Sequence, residues 1–115
     1  MLKIGIVNDS LMAAECLRRV VNRVAAYQLL WVAYNGHEAL RYCRQNCPDV
    51  ILMDLIMPEM DGIELLEHIK KNDPDLPVIM MTAHGTVDKA VEAMQKGAYS
   101  YILKPFDNDR LIIYV

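Results

Sequence analysis

The chain has 115 residues, 54% hydrophobic and 23% charged, and twelve basic against fifteen acidic side chains leave a net charge of −3. That length fits one domain, 1–115, with apolar material for a core, and the composition excludes an intrinsically disordered segment. No basic stripe is present to grip nucleic acid, and no run of about 18 apolar residues is present to span a membrane.

In chain order, the first apolar run is Ile4 to Val7, which ends in Asn8-Asp9-Ser10. Apolar at each position, it reads as a strand buried on both faces, as parallel strands are. Ala13, Leu17, Val20, Val21 and Val24 then recur at helical spacing, with Ser10 at the helix start. A second strand, Leu29 to Ala33, leads through the turn Tyr34-Asn35-Gly36 to a helix with Ala39, Leu40, Cys43 and Cys47 on one face. Pro48 marks the turn before the third strand, Val50 to Met53, which ends in Asp54 within VILMDLIMPEMDG. Asp61-Gly62 opens the third helix, which carries Ile63, Leu66 and Ile69 inward. Pro74 and Pro77 precede the fourth strand, Val78 to Met81, which ends in Thr82. In the fourth helix Thr86 is the expected cap, with Val87, Ala90, Val91 and Met94 as the inner face. Lys96 falls in its last turn and Gly97 at a left-handed end. The fifth strand, Tyr101 to Leu103, ends in Lys104-Pro105. A fifth helix capped by Asp107 is expected to be cut short or to continue beyond the sequence.

Three cysteines without CxxC spacing fit reduced thiols of a cytoplasmic protein, and the opening MLKIGIVND turns acidic too soon for a secretory leader. Cys43 and Cys47 could begin a zinc site, but nothing in the sequence completes one.

Alternating strands and helices predict an α/β fold, a doubly wound five-stranded parallel sheet with helices on both faces. In such sheets ligands bind beyond the carboxyl ends of the strands. Four strand ends carry Asp9, Asp54, Thr82 and Lys104. Singly, each has an ordinary explanation as a turn, a cap or a solvated charge. Together they form a phosphoryl-transfer set. Two carboxylates suit Mg²⁺, which takes oxygen ligands and keeps several waters. A hydroxyl and an ammonium can bond phosphoryl oxygens, and a carboxylate can be the nucleophile.

The pieces VND, ILMDLIMPEMDG, MTAHG and KGAYSYILKPF, in this order and spacing, resemble the receiver (phosphoacceptor) domain of two-component response regulators over essentially the whole chain. The resemblance implies a flavodoxin-like strand order 2-1-3-4-5. It implies that Asp54 is phosphorylated, that Asp9 binds Mg²⁺ directly and that the backbone carbonyl of Ile56 is the third protein ligand. Thr82 becomes the switch hydroxyl, Lys104 the phosphate-pairing ammonium and Tyr101 the aromatic that turns inward when the hydroxyl is recruited. Ile56 and His84 stand at two positions that tune phosphoryl lifetime. Most similar receivers carry an acid where Asn8 stands, holding Mg²⁺ through a water; Asn8 can accept from such a water but brings no charge. The implied partners are a histidine kinase or phosphotransfer protein and a downstream effector domain or protein. A homodimer through the fourth helix, fifth strand and fifth helix is a further one. The segments IGIVNDS and WVAYNGHEAL resemble receivers of chemotaxis methylesterase-type regulators, whereas MTAHGTVDKAVEAMQKGAYSYILKPFDND resembles receivers of σ54-activating regulators. Natural drift and an engineered chimera would both leave that pattern.

An aspartyl phosphatase would want a second acid two residues after Asp54, where Ile56 stands. No phosphate loop follows the first strand, which argues against a flavin carrier or a nucleotide P-loop. An unphosphorylated interaction module of the same fold, a pseudo-receiver, stays open at this point.

Overall fold

Each apolar run becomes a strand and each helical repeat a helix. A computed structural model of the chain describes residues 1–55, 57, 61–82 and 87–103. The elements are β1 (Leu2–Val7), α1 (Leu11–Asn22), β2 (Tyr27–Ala33), α2 (Gly36–Gln45), β3 (Val50–Asp54), α3 (Gly62–Asn72), β4 (Val78–Thr82), α4 (Val87–Gln95) and β5 (Ser100–Leu103). All strand pairs are parallel, in the order β2-β1-β3-β4-β5. This is the doubly wound, flavodoxin-like sheet expected from the sequence. The segment read as a fifth helix lies outside the described residues.

Two hydrophobic layers hold the helices to the sheet. On one face Val7, Ile51, Met53 and Met80 pack with Ala39 of α2, Leu65 and Leu66 of α3 and Ala93 of α4. On the other, Ile4, Ile6, Leu52 and Met81 pack with Leu17 and Val21 of α1. The period-two alternation of strand side chains divides each strand between these layers. β1, β3 and β4 are therefore buried throughout their apolar runs, as predicted. β2 is not: Leu29 to Val32 are only partly buried, because β2 is an edge strand with one neighbour.

Three helix faces differ from the sequence reading. α1 ends at Asn22 and α2 at Gln45, so Val24 and Cys47 lie beyond their helices. Among the described side chains of α4 the buried ones are Ala90 and Ala93, while Val91 and Met94 are 47% and 39% exposed, and the Val87 side chain lies outside the described residues. Small alanines let this helix lie close to the sheet, which rotates its larger apolar side chains outward. Lys96 falls just past α4, and its ammonium reaches Glu67 of α3 at 2.6 Å and Glu92 at 3.3 Å. Gly97 follows with φ 109°, the left-handed end expected.

The β1–β2 register shifts by one residue between Ile4 and Gly5. This brings Gly5 opposite Trp31, whose indole N–H donates to the Asn46 carbonyl at 2.9 Å and whose ring lies 5.6 Å from that of Tyr42. A Cβ on Gly5 would stand 2.8 Å from two ring carbons of Trp31. Gly5→Ala is expected to destabilise the fold by about 1–3 kcal/mol through overpacking, read as a lower urea midpoint with altered Trp31 emission. An unchanged midpoint would mean that the ring moves aside freely.

Candidate functional site

The carboxyl edge of the sheet collects every strand-to-helix junction, and many of its polar side chains serve as caps. Ser10 caps α1, its Oγ accepting from the Ala13 N–H at 3.2 Å. Asn35 caps α2, accepting from the Glu38 N–H at 2.9 Å, while the Glu38 carboxylate reaches back to the Tyr34 N–H at 2.8 Å, close to a capping box. Asp61 caps α3, accepting from the Glu64 N–H at 2.9 Å. The ordinary reading thus holds for Ser10, Asn35 and Asp61.

Asp9 and Asp54 are not the cap residues of α1, α2 or α3. Asp9 is exposed immediately after Asn8, and Asp54, the last residue of β3, is partly buried. The last registered β1–β3 pair is Val7 with Met53, so Asn8 and Asp54 are the next residues on neighbouring strands. Their loops are anchored by the backbone. The Asn8 N–H donates to the Ala33 carbonyl, the Leu55 N–H to that of Met81 and the Gly62 N–H to that of Leu55, at 3.0, 3.0 and 2.8 Å.

Asn8 is 0% exposed, the one buried polar residue among those described. Its Oδ1 accepts the Ser10 N–H at 2.9 Å, and its Nδ2 is buried without a hydrogen-bond partner. That bond settles which way the amide faces, since the opposite orientation would set two donors against each other. The buried amide nitrogen of Asn8 is therefore a donor, which cannot ligate a cation, while Oδ1 keeps a second lone pair beside its bond to Ser10. Among the described residues no three His, Cys, Asp or Glu side chains converge as a metal cluster. Two oxygen-bearing carboxylates on adjacent strands nonetheless fit Mg²⁺, which is commonly held by one or two carboxylates and retains several waters.

The remaining expected site residues are only partly in view. Thr82 ends β4 and pairs with Leu103 of β5, which brings the backbone just before Lys104 beside it. The Thr82 side chain, Ile56, His84 and Lys104 lie outside the described residues. Tyr101 is on β5 and 39% exposed.

The family model described as the response regulator receiver domain matches residues 4–115. The chain belongs to this family. Among curated relatives it is 44% identical over 105 residues to protein-glutamate methylesterase/protein-glutamine glutaminase 1 of Pseudomonas fluorescens, covering 90% of this chain and 31% of that protein. It is 51% identical over 81 residues to the DNA-binding transcriptional regulator NtrC of Escherichia coli, covering 70% of this chain and 17% of that protein. A methylesterase and a transcriptional regulator are thus both relatives, as the resemblances of the two halves implied, and the chain spans under a third of either. Among solved structures, a response regulator receiver domain protein from Clostridium thermocellum superposes with a TM-score of 0.90 at 32% identity, covering 96% of this chain and 88% of that one. The receiver domain of NtrX from Brucella abortus gives 0.85 at 32% identity, covering 94% and 90%.

The receiver also has a cavity of about 400 Å³ between α2 and α3, lined by Leu40, Cys43, Cys47, Ile69, Asp73 and Leu76 among others. Both helices start at the carboxyl edge, so this cavity near their far ends lies toward the opposite edge, away from Asp9 and Asp54. Its thiols are poor nucleophiles. Burial, with smaller contributions from Cys47 and Asp73, pushes the Cys43 thiol up to about 11. Burial and the contact with the Asp73 carboxylate, at 3.5 Å, raise Cys47 as well. Only the thiolate reacts, so iodoacetamide labelling of Cys43, followed by peptide mass mapping, is expected to be slow near neutral pH. It should rise about tenfold per pH unit through roughly pH 10. A rate that levels off by about pH 9 would contradict this environment.

Proposed function

We propose that this receiver is a phosphoacceptor switch in which Asp54 is the nucleophile. The observation that carries the reading is the placement of Asp9 and Asp54 at neighbouring strand ends, beside the capping residues Ser10 and Asp61. An Asp54 carboxylate oxygen forms the bond to phosphorus as the bond from phosphorus to the donor breaks. The donor is a phosphohistidine of a kinase or phosphotransfer protein, or a small acyl phosphate, and its leaving group departs with the bonding pair. Asp9, Asp54 and the Ile56 carbonyl would hold Mg²⁺, which when bound neutralises charge on the phosphoryl oxygens. Lys104 pairs with a phosphoryl oxygen and Thr82 donates to another. Ile56 offers no polar group to orient a hydrolytic water, while His84 would influence one. The chain promotes its own phosphorylation and dephosphorylation and is not otherwise an enzyme. The methylesterase and DNA-binding roles in the relatives' names belong to those proteins.

Phosphorylation biases a two-state equilibrium of the domain. Thr82 moves toward the phosphoryl group and Tyr101 turns inward behind it. The surface that changes carries Val91 and Met94 of α4 with Tyr99 and Tyr101, all exposed. An effector domain, an effector protein or a second copy of the chain would read that surface, in the cytoplasm where a kinase can reach it. Incubation with Mg²⁺ and acetyl phosphate is expected to add one phosphoryl mass to the wild type and none to Asp54→Ala. An equal adduct on the variant would remove Asp54 from its role, and no adduct on either would favour the pseudo-receiver.

Asn8 makes the metal site weaker than an acid there would. In Asn8→Asp one carboxylate oxygen can keep the Ser10 N–H, and the other replaces the unpartnered donor with negative charge. A buried carboxylate opposes folding until a counter-charge arrives. Asn8→Asp is therefore expected to bind Mg²⁺ about tenfold or more tightly, and to show a urea midpoint that is lower without Mg²⁺ and rises steeply with it. Metal titration by Trp31 emission showing equal or weaker binding than wild type would overturn this.

A further inference from the structure

Gly62 stands at the first position of α3, directly after the Asp61 cap. Its conformation does not demand glycine: among the described residues only Gly97 has a positive φ. By helix propensity alanine would be better there by about 0.5–1 kcal/mol. What demands glycine is space. A Cβ would stand 2.6 Å from the Asp54 carbonyl oxygen, 2.8 Å from the Leu55 Cα and 2.7 Å from the Met80 Cε. The methionine methyl can swing away, but the other two atoms are backbone. Ordinary contacts begin near 3.4 Å, so a side chain at 62 would drive α3 and the Asp54–Leu55 peptide apart by most of an ångström. It would also lengthen the 2.8 Å bond from the Gly62 N–H to the Leu55 carbonyl, which closes the loop between them.

We propose that Gly62 is a positioning residue for phosphoryl transfer: its missing side chain lets the start of α3 clamp the Asp54–Leu55 peptide and so hold the nucleophile in reacting geometry. This rests on Asp54 being the phosphoacceptor. Displacement of a reacting group by about 1 Å can lower a rate about 10²-fold.

Gly62→Ala tests the clamp, and Gly62→Ala/Met80→Leu separates it from core packing. Leucine lacks the reach of the methionine methyl, so the double variant removes the side-chain collision and leaves the two backbone ones. Phosphorylation by acetyl phosphate with Mg²⁺ is followed by intact mass, beside urea unfolding, for the wild type, Met80→Leu and both alanine variants. The double variant is expected to unfold cooperatively, near Met80→Leu in midpoint, yet to phosphorylate roughly a hundredfold more slowly than Met80→Leu. A rate that recovers together with stability overturns the inference while leaving Asp54 in its role. A double variant that does not fold assigns the contact to the fold alone and also overturns it. Failure of the wild type to take up phosphoryl at Asp54 overturns the reading of the site and this inference with it.

Discussion

The parallel register of β1, β3 and β4, each buried on both faces, is the constraint from which the rest follows. Strands covered on both sides leave no position inside the sheet where a carboxylate or an amide can be hydrated. Polar residues are therefore displaced to the strand ends. Because the strands are parallel and their ends nearly level, Asp9 and Asp54 arrive at one edge together with the starts of α1, α2 and α3. The same hydrophobic layers that make the domain stable thus concentrate negative charge where a cation and a phosphoryl group can be met.

At that edge backbone demand and ligand chemistry compete for the same residue types. Helix starts leave unsatisfied N–H groups, and Ser, Asn and Asp side chains satisfy them. Ser10, Asn35 and Asp61 are committed in this way, and Asn8 spends its carbonyl oxygen on the Ser10 N–H. Asp9 and Asp54 stand adjacent to these caps. The capped turns thus frame the edge at which Asp9 and Asp54 stand. Gly62 belongs to the same frame from below, where the absence of a side chain brings α3 against the Asp54–Leu55 peptide.

The packing of α4 follows a different balance. Alanines at 90 and 93 bring it near the sheet, and its bulkier Val91 and Met94 are left beside exposed Tyr99 and Tyr101. Two alanines anchor less apolar area than the Ile63, Leu65, Leu66 and Ile69 set of α3. Among the described side chains of α4, the apolar groups that face outward are thus larger than those that face the sheet.

Strand and helix order, the polar strand ends and the receiver family were readable from pattern alone, because solid apolar runs, helical spacing and glycine, proline and cap residues act locally. Local pattern could not tell that β2 is an edge strand, since burial depends on neighbours distant in the chain. Nor could it give the rotation of α4, where alanine and valine both count as apolar and only the approach to the sheet selects between them. It identified Asn8 as an amide in the place of an acid but not that the carbonyl oxygen is tied to Ser10 and the amide nitrogen buried. It read Gly62 as a helix start, whereas its significance lies in the atoms of Asp54, Leu55 and Met80 that crowd it. Chain order was enough to say which chemistry stands at the edge of the sheet. How Asn8 and Gly62 are held there was decided only by packing, because a hydrogen bond or a collision is a property of two segments and neither segment carries it alone.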